Sequence, residues 1–253
     1  MRTWAAAATT RLRLGCAVVV STLHSPLHLA LSVATVDHLS GGRLEVGLGT
    51  GGGYRQFAAF GVDRASYVAR FNEGLALMKR LWTEERVDAD GRFWRLVDAA
   101  MEPKPRQRPW PPIWIGGAHP DAVRRAVTSA DGFFGAGSQT TTAFASQVGT
   151  VRAALAASDR DPAGFRIAKR VYVTVDDDAE RGRRRTADAL ERIYSNFGLR
   201  DIGAVAVTGP VDDVIAGLHD VIDAGAELVV LNPLFDDLEQ LELLATAVLP
   251  QLR

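Results

Sequence analysis

Ser40-Gly41-Gly42-Arg43-Leu44-Glu45-Val46-Gly47-Leu48-Gly49-Thr50-Gly51-Gly52-Gly53, residues 40–53, is the stretch on which the fold turns. Ser40-Gly41-Gly42 ends a helix, because glycine reaches the positive-φ conformations with which helices commonly close. Leu44 to Leu48 then read as a strand, and the strand runs directly into Thr50-Gly51-Gly52-Gly53. A loop so rich in glycine lets a ligand approach the backbone closely. Helix, strand and glycine loop in that order are the repeating unit of an α/β fold with parallel strands.

Working upstream, Ser25-Pro26 opens the helix, with serine able to cap free N–H groups and proline pre-set for the first turn. Leu27, Leu31, Ala34 and Leu39 supply its apolar stripe, and Leu12 to Val20 read as a buried parallel strand. Downstream, Val68, Phe71, Leu75, Met78 and Trp82 recur every three or four residues and predict one buried face of a long helix. From about 86 to 112 the pattern breaks, and five prolines between Pro103 and Pro112 suggest a long loop insertion. Ile113 to Ile115 form a strand closing on Gly116-Gly117, and a helix from Pro120 to Ala130 leads to a strand from Gly132 to Phe134. That strand ends in Gly135-Ala136-Gly137-Ser138. A helix, a strand from Ile167 to Val175, another helix, a helix from Val211 to Ala224, a strand from Leu228 to Leu231 and a closing helix around Leu238 to Leu249 complete the reading. Six strands alternate with helices, and in such folds ligands lie at the C-terminal strand ends.

The composition fits a single domain over residues 1–253: 47% hydrophobic and 23% charged residues are enough to bury a full core. With 29 Lys and Arg against 30 Asp and Glu, the net charge of -1 gives no electrostatic reason to expect nucleic acid or an anionic membrane as partner. The expected partner is a small-molecule substrate, with a homodimer left open. The one cysteine, Cys16, excludes an internal disulfide framework and a Cys-rich zinc site and suits a reducing cytoplasm. Arg11 and Arg13 cut the apolar run at Ala5 to Ala8 far short of the ~20 residues of a membrane span.

Other motifs compete for a functional role. Gly47-Leu48-Gly49-Thr50-Gly51-Gly52 fits G-x-G-x-x-G, the fingerprint of a nicotinamide-binding Rossmann unit. That unit wants an acid at a strand tip about 20 residues on, a distance that falls inside the helix of Phe71 and Leu75. Turn-making alone is the plainer reading of the glycines. His24 and His28 could share a helix face toward a metal, but no Cys or acid accompanies them, so capping or surface roles are favoured and no metal is expected. Asp37, His38 and Ser40 contain the residue types of a hydrolytic triad but crowd one helix end. Asp176-Asp177-Asp178 suits a helix N-terminus better than a metal, and Arg181 to Arg185 read as that helix's solvated face. Phe93-Trp94 are read as packing the long loop, with cavity lining as the alternative.

The segment Thr35-Val36-Asp37-His38-Leu39-Ser40-Gly41-Gly42-Arg43-Leu44-Glu45-Val46-Gly47-Leu48-Gly49 resembles the signature of the luciferase-like monooxygenases. Arg70, Leu81-Trp82-Thr83, Pro103-Lys104-Pro105, Gln107-Arg108-Pro109, Pro111-Pro112-Ile113-Trp114-Ile115-Gly116-Gly117, Asp131-Gly132 and Ala224-Gly225-Ala226 follow in the family's order and spacing. The resemblance covers essentially the whole chain and is closest to the actinobacterial branch that uses coenzyme F420.

It implies an α/β fold, a TIM-barrel-like (β/α)8 of the luciferase-like type, carrying F420 or FMN at its C-terminal face. F420 members move a hydride at C5 of the deazaflavin and FMN members activate dioxygen; F420 is favoured here. The resemblance also implies a non-proline cis peptide at Ala17-Val18, with the ring resting on Ala17, Val18 and Val19. Small residues at Gly49, Thr50, Gly51, Gly116, Gly117, Ala136, Gly137 and Ser138 would let backbone N–H groups reach the ring edge and phosphate. F420 carries a polyanionic oligoglutamate tail, for which Lys104, Arg106, Arg108, Arg124 and Arg125 are the candidate partners.

Two departures limit the transfer. Many relatives have glutamate where this chain has Gln56, and the family's first two βα units have no counterpart before Met1. Acid, base and substrate-orienting residues often come from those units, so no catalytic residue is assigned. At ~30 residues per βα unit, about 60 further residues upstream of Met1 are expected. Without them the strand edges at Leu12 and at Leu228 to Leu231 would lie open. The alternatives are an FMN-dependent monooxygenase, a non-catalytic incomplete barrel and a nicotinamide dehydrogenase.

Overall fold

The computed structural model describes residues 2–52, 57–195 and 202–252, which fall into two compact units divided after Gly116. The first carries helices α1 (Arg2–Ala8), α2 (Pro26–Leu39) and α3 (Tyr67–Thr83) and strands β1 (Val19–Val20), β2 (Val46–Gly49), β3 (Val87–Asp90), β4 (Arg95–Ala99) and β5 (Ile113–Gly116). Strands β1, β2 and β5 are parallel, with Val20 opposite Gly49, Val46 opposite Ile113 and Leu48 opposite Ile115. The C-terminal ends of all three therefore point the same way.

The periodic face of α3 is buried as its spacing predicts: Phe71, Leu75, Met78, Leu81 and Trp82 are within the core. The Trp82 indole N–H donates to the Ala30 carbonyl at 3.1 Å, which fixes α3 on α2. At the far end of α2, Gly41 and Gly42 take φ of 68° and 85°, and the chain turns back into β2. Ser25 stands at the N-cap of α2 and Pro26 at its first turn, but the Ser25 hydroxyl makes no capping bond.

Arg43 ties the N-terminal segment to this turn. Nε donates to the Ser40 carbonyl at 2.6 Å, Nη1 to the Thr9 hydroxyl and the Leu12 carbonyl at 2.9 and 2.7 Å, and Nη2 to the carbonyls of Ala6 and Thr9 at 2.9 and 2.8 Å. All five guanidinium N–H groups are thereby used, and α1 receives partners for the carbonyls its C-terminus leaves over.

Three expectations are corrected here. The segment Leu12 to Val20 is not a continuous strand: Leu14 makes an isolated parallel bridge to Leu44, and ladder pairing resumes only at Val19. Between them lies the Ala17-Val18 peptide, which is cis, at the position the resemblance implied. The second correction concerns residues 86–112, which hold an antiparallel hairpin of β3 and β4 rather than an unstructured insertion. Its strands are short and largely exposed, so they carry no apolar run. The hairpin is held by Glu73 of α3, whose carboxylate accepts the backbone N–H groups of Arg92, Phe93 and Trp94 at 3.0 to 3.1 Å. The Arg70 guanidinium lies 4.5 Å from the centre of the Trp94 ring, and Trp94 helps line a cavity of about 10 Å³, so both readings of this residue apply.

The second unit is organised around β7 (Arg166–Val175), which is parallel to β6 (Gly132–Gly135), β8 (Ala206–Gly209) and β9 (Leu228–Asn232). Strand β8 is the third correction. It has four residues, is only partly buried and was not distinguished from the segment before Val211. Helices α4 (Pro120–Ser129), α5 (Thr141–Ala156), α6 (Ala179–Tyr194) and α7 (Val211–Asp223) alternate with the strands. The Thr140 hydroxyl caps α5 through the Ala143 N–H, and the Asp178 carboxylate caps α6 through the N–H groups of Glu180 and Arg181. The acidic run thus serves a helix N-terminus. The expected closing helix is present: α8 (Asp237–Leu243) runs on through a π-helical turn at Leu244–Val248. From α8, the Gln240 amide clasps Val175 by accepting its N–H and donating to its carbonyl, both at 2.8 Å.

Lysine offers three donors against the five of Arg43, so Arg43→Lys should leave carbonyls of the α1 segment unpaired. The expected cost is about 1.5 to 3 kcal/mol, read as a lower urea midpoint at unchanged slope, with earlier proteolysis before Leu14. An unchanged midpoint would show that the anchorage contributes nothing.

Candidate functional site

In the first unit, parallel pairing sets Val19 opposite Leu48 and Val20 opposite Gly49, so that Val18 packs over Gly47 and Gly49 and Val20 over Gly51. The Thr22 hydroxyl donates to the Thr50 carbonyl at 3.1 Å, and Arg70 Nε donates to the Thr22 carbonyl at 3.0 Å. Gly116 ends β5 on the same side.

The glycines have a different first duty from the one expected. A Cβ on Gly47 would lie 1.9 Å from the Cys16 carbonyl oxygen. On Gly49 it would lie 2.6 Å from Val18 Cγ2, and on Gly51, at φ +71°, 2.3 Å from Val20 Cγ1. These three positions admit no side chain because the 16–20 segment already fills the space. The Rossmann alternative also fails: the strand that follows α3 is β3, antiparallel to β4 and outside the parallel set. Gly53 and Gln56 lie outside the described residues.

The hydrolytic constellation is absorbed by structure. Asp37 is buried and accepts from the Gln107 N–H and Nε2, each at 2.8 Å; His38 Nε2 donates to the Lys104 carbonyl at 2.8 Å; and the Ser40 hydroxyl donates to the Asp37 carbonyl. Gln107 Nε2 donates to the Leu44 carbonyl as well, and the Val46 N–H donates to the Pro112 carbonyl. The proline-rich segment therefore sits at the N-terminal end of β2. Lys104, Arg106 and Arg108 belong to that segment, at the end of β2 opposite to Gly49. Lys104 in addition donates to the carbonyls of Leu81 and Glu84. In the second unit Arg124 is paired with Asp121 one helical turn away on α4. His24 and His28 are exposed, and His24 closes the turn Ser21–Leu23.

The second unit presents its own cluster of expected residues. Gly117 lies against α4, where a Cβ would meet Ala122 Cβ at 2.6 Å, so a bulky substitution there strains packing as well as any ligand contact. Ala136, Gly137 and Ser138 follow β6, and a Cβ on Gly137 would stand 2.7 Å from Arg170 Nε and 2.8 Å from the Tyr172 ring. Tyr172 and Tyr194 share a hydrogen bond between their hydroxyls at 2.7 Å, and Arg170 Nη2 donates to Tyr194 at 3.1 Å. Burial and the shared hydrogen bond push the Tyr172 hydroxyl's pKa upward, so it stays protonated.

Two further residues belong to this cluster. Lys169, 1% exposed, donates from Nζ to the carbonyls of Ala136, Gln139 and Arg170 at 2.9, 2.8 and 3.2 Å. Desolvation first, and then the Arg170 charge, push its ammonium down to about 8. Gln147 on α5 is buried and donates to the Ala118 carbonyl at 3.2 Å, while its Oε1 has no hydrogen-bond partner among the described residues. Lys169 carries no distinct signal in the sequence, because Arg170 stands beside it and Arg166 opens the same strand.

Residues 1–227 match the family model of luciferase-like monooxygenases. The chain belongs to this family. The structure is similar to monooxygenase RslO1 from Streptomyces bottropensis, with a TM-score of 0.86, 27% identity, and coverage of 100% of this chain and 82% of that one. The fold is accordingly that of the luciferase-like TIM-barrel enzymes. Among curated relatives, a phthiodiolone/phenolphthiodiolone dimycocerosates ketoreductase from Mycobacterium sp. (strain JLS) is 32% identical over 213 residues, covering 80% of this chain and 56% of its own length. An F420-dependent glucose-6-phosphate dehydrogenase from Kineococcus radiotolerans is 35% identical over 134 residues, 51% of this chain and 39% of its own length. The chain thus spans about half the length of the curated relatives it matches. No helix among the described residues is long and apolar enough to cross a membrane.

The lowered pKa of Lys169 gives a signed expectation. The unfolded lysine keeps its proton to about 10.5, whereas the folded one begins to lose it at about 8, so the unfolded state binds more protons between those values and stability rises with pH there. Relative to Lys169→Met, the wild type should gain roughly 2 kcal/mol between pH 7.5 and 9.5 in urea unfolding. Parallel pH profiles for the two proteins would contradict the assignment.

Proposed function

We propose that this luciferase-like oxidoreductase binds a deazaflavin or flavin and works as an F420-dependent enzyme transferring a hydride to or from a small organic substrate. One observation carries the reading: the Ala17–Val19 segment, where family resemblance puts the ring, leads into the Val19–Val20 strand that pairs with Leu48 and Gly49 at the C-terminal end of β2. The names of relatives supply the preference for F420, since the Kineococcus protein is an F420-dependent dehydrogenase. An FMN-dependent monooxygenase is the second reading, favoured by the likeness to monooxygenase RslO1 over the full chain.

The residues present fit such a group. In the first unit Ala17, Val18 and Val19 would back the ring, with Gly49, Thr50, Gly51 and Gly116 along its edge; the Thr50 carbonyl is already fixed by Thr22. Taken by itself, the second unit offers Gly117, Ala136, Gly137 and Ser138 for an anionic group, since a loop of small residues beside Arg170 and the N-terminus of α5 favours negative charge. When bound, F420 would supply a hydride at C5 of its deazaflavin, and reduced FMN would supply electrons to dioxygen. The chain's own part is to hold and orient the group and the substrate.

Thermal unfolding of the purified protein with saturating F420, FMN or NADPH tests the reading. A ligand at 100 times its Kd adds about 2.7 kcal/mol, so F420 should raise the Tm by several degrees, FMN less, and NADPH not at all. A shift with FMN alone would select the monooxygenase reading. A shift with NADPH alone would overturn both.

A further inference from the structure

Lys169 lies on β7, opposite Gly135 at the end of β6 on one edge and Val229 of β9 on the other. Its side chain passes Phe144 of α5, 5.7 Å from the ring centre, and ends among the carbonyls of the β6–α5 loop. That loop, residues 136–139, is closed on itself by the Gln139 N–H donating to the Ala136 carbonyl at 3.2 Å, and both of these carbonyls also receive the ammonium. A buried cation hydrogen-bonded to neutral carbonyls is costly to keep, and it projects its charge across the loop at short range and low dielectric.

We propose that Lys169 is a positioning residue for an anionic cofactor: its buried ammonium folds the Ala136–Gln139 loop around itself and lends positive charge to a phosphate or carboxylate held at Gly137 and Ser138. The inference rests on the reading that this loop takes the anionic end of F420 or FMN. Lys169 does not touch the ligand and acts through the loop. The surroundings contribute little competing charge. Strands β6 and β9 and residues 136–139 contain no titratable side chain. The one charged residue of α5, Arg152, lies at Gly225, and Arg170 on β7 itself is the charged neighbour that acts on the ammonium.

An anion beside the loop favours the charged lysine, so binding above pH 8 takes up a proton that the free protein has begun to lose. Titration calorimetry with F420 and with FMN, at pH 7 to 9 and in two buffers of different ionisation enthalpy, reads this directly in the unmodified protein. Kd should rise about tenfold from pH 7 to pH 9, with uptake of about three quarters of a proton per ligand at pH 8.5. Lys169→Met should bind more weakly at pH 7 with a flat profile, and Lys169→Arg should retain affinity and also be flat to pH 9. A purely structural lysine would give a wild type whose Kd is constant over this range without proton uptake, and that result overturns the proposal while leaving the cofactor reading intact. A slope that persists in Lys169→Arg overturns it as well. If neither F420 nor FMN binds the wild type at any pH, the cofactor reading fails and the inference with it.

Discussion

In the first unit the Cys16 carbonyl sits so close over Gly47 that a Cβ there would come within 1.9 Å of its oxygen. Much of the unit follows from it. Only glycine lets the 16–20 segment settle onto β2, and once there Val18 and Val20 occupy the space above Gly49 and Gly51. The glycine-rich signature is therefore first a packing device that sets the register of β1 against β2. That register leaves Val20 opposite Gly49 at the C-terminal strand ends.

Charged groups do the complementary work of fixing loops. Asp37 gathers Gln107, Arg43 gathers the carbonyls of the α1 segment, Glu73 gathers three N–H groups of the hairpin and Lys169 gathers carbonyls of the β6–α5 loop. Each is a single side chain that satisfies several backbone or amide groups which would otherwise be poorly paired. Such a group holds its loop only while every contact is made, so its removal costs more than a surface ion pair would suggest.

These groups also explain what could be read in the sequence. The helices, and the strands at Leu44–Leu48, Ile113–Ile115, Gly132–Phe134, Ile167–Val175 and Leu228–Leu231, announce themselves by apolar periodicity, and the structure moves their limits by only one or two residues. The hairpin of β3 and β4 does not, because its stability comes from Glu73 and Trp94 docking on α3 rather than from its own apolar face. Strand β8 is hidden because four partly buried residues carry no period. In the candidate site, resemblance located the small residues, but the basic residues chosen for an anionic tail came from a segment whose tertiary position no local pattern discloses. Lys169 was not distinguished, because Arg170 beside it carries the same charge and only the fold turns one of the two side chains into the β6–α5 loop.

The two ends of the strands in the first unit are built on different principles, and the difference bears on where chemistry can occur. At the N-terminal end of β2, Gln107 joins Asp37 to the Leu44 carbonyl, and Glu45 takes the Trp114 indole N–H at 2.6 Å and pairs with Arg13. Those polar groups are committed to one another, so an incoming ligand would have to break bonds already made. At the C-terminal end of β2 the residues are small or aliphatic, with Val18 and Val20 packed over Gly49 and Gly51. The stabilising network at one end is thus what allows the other to be left chemically simple, the division of labour that α/β barrels show between their two faces.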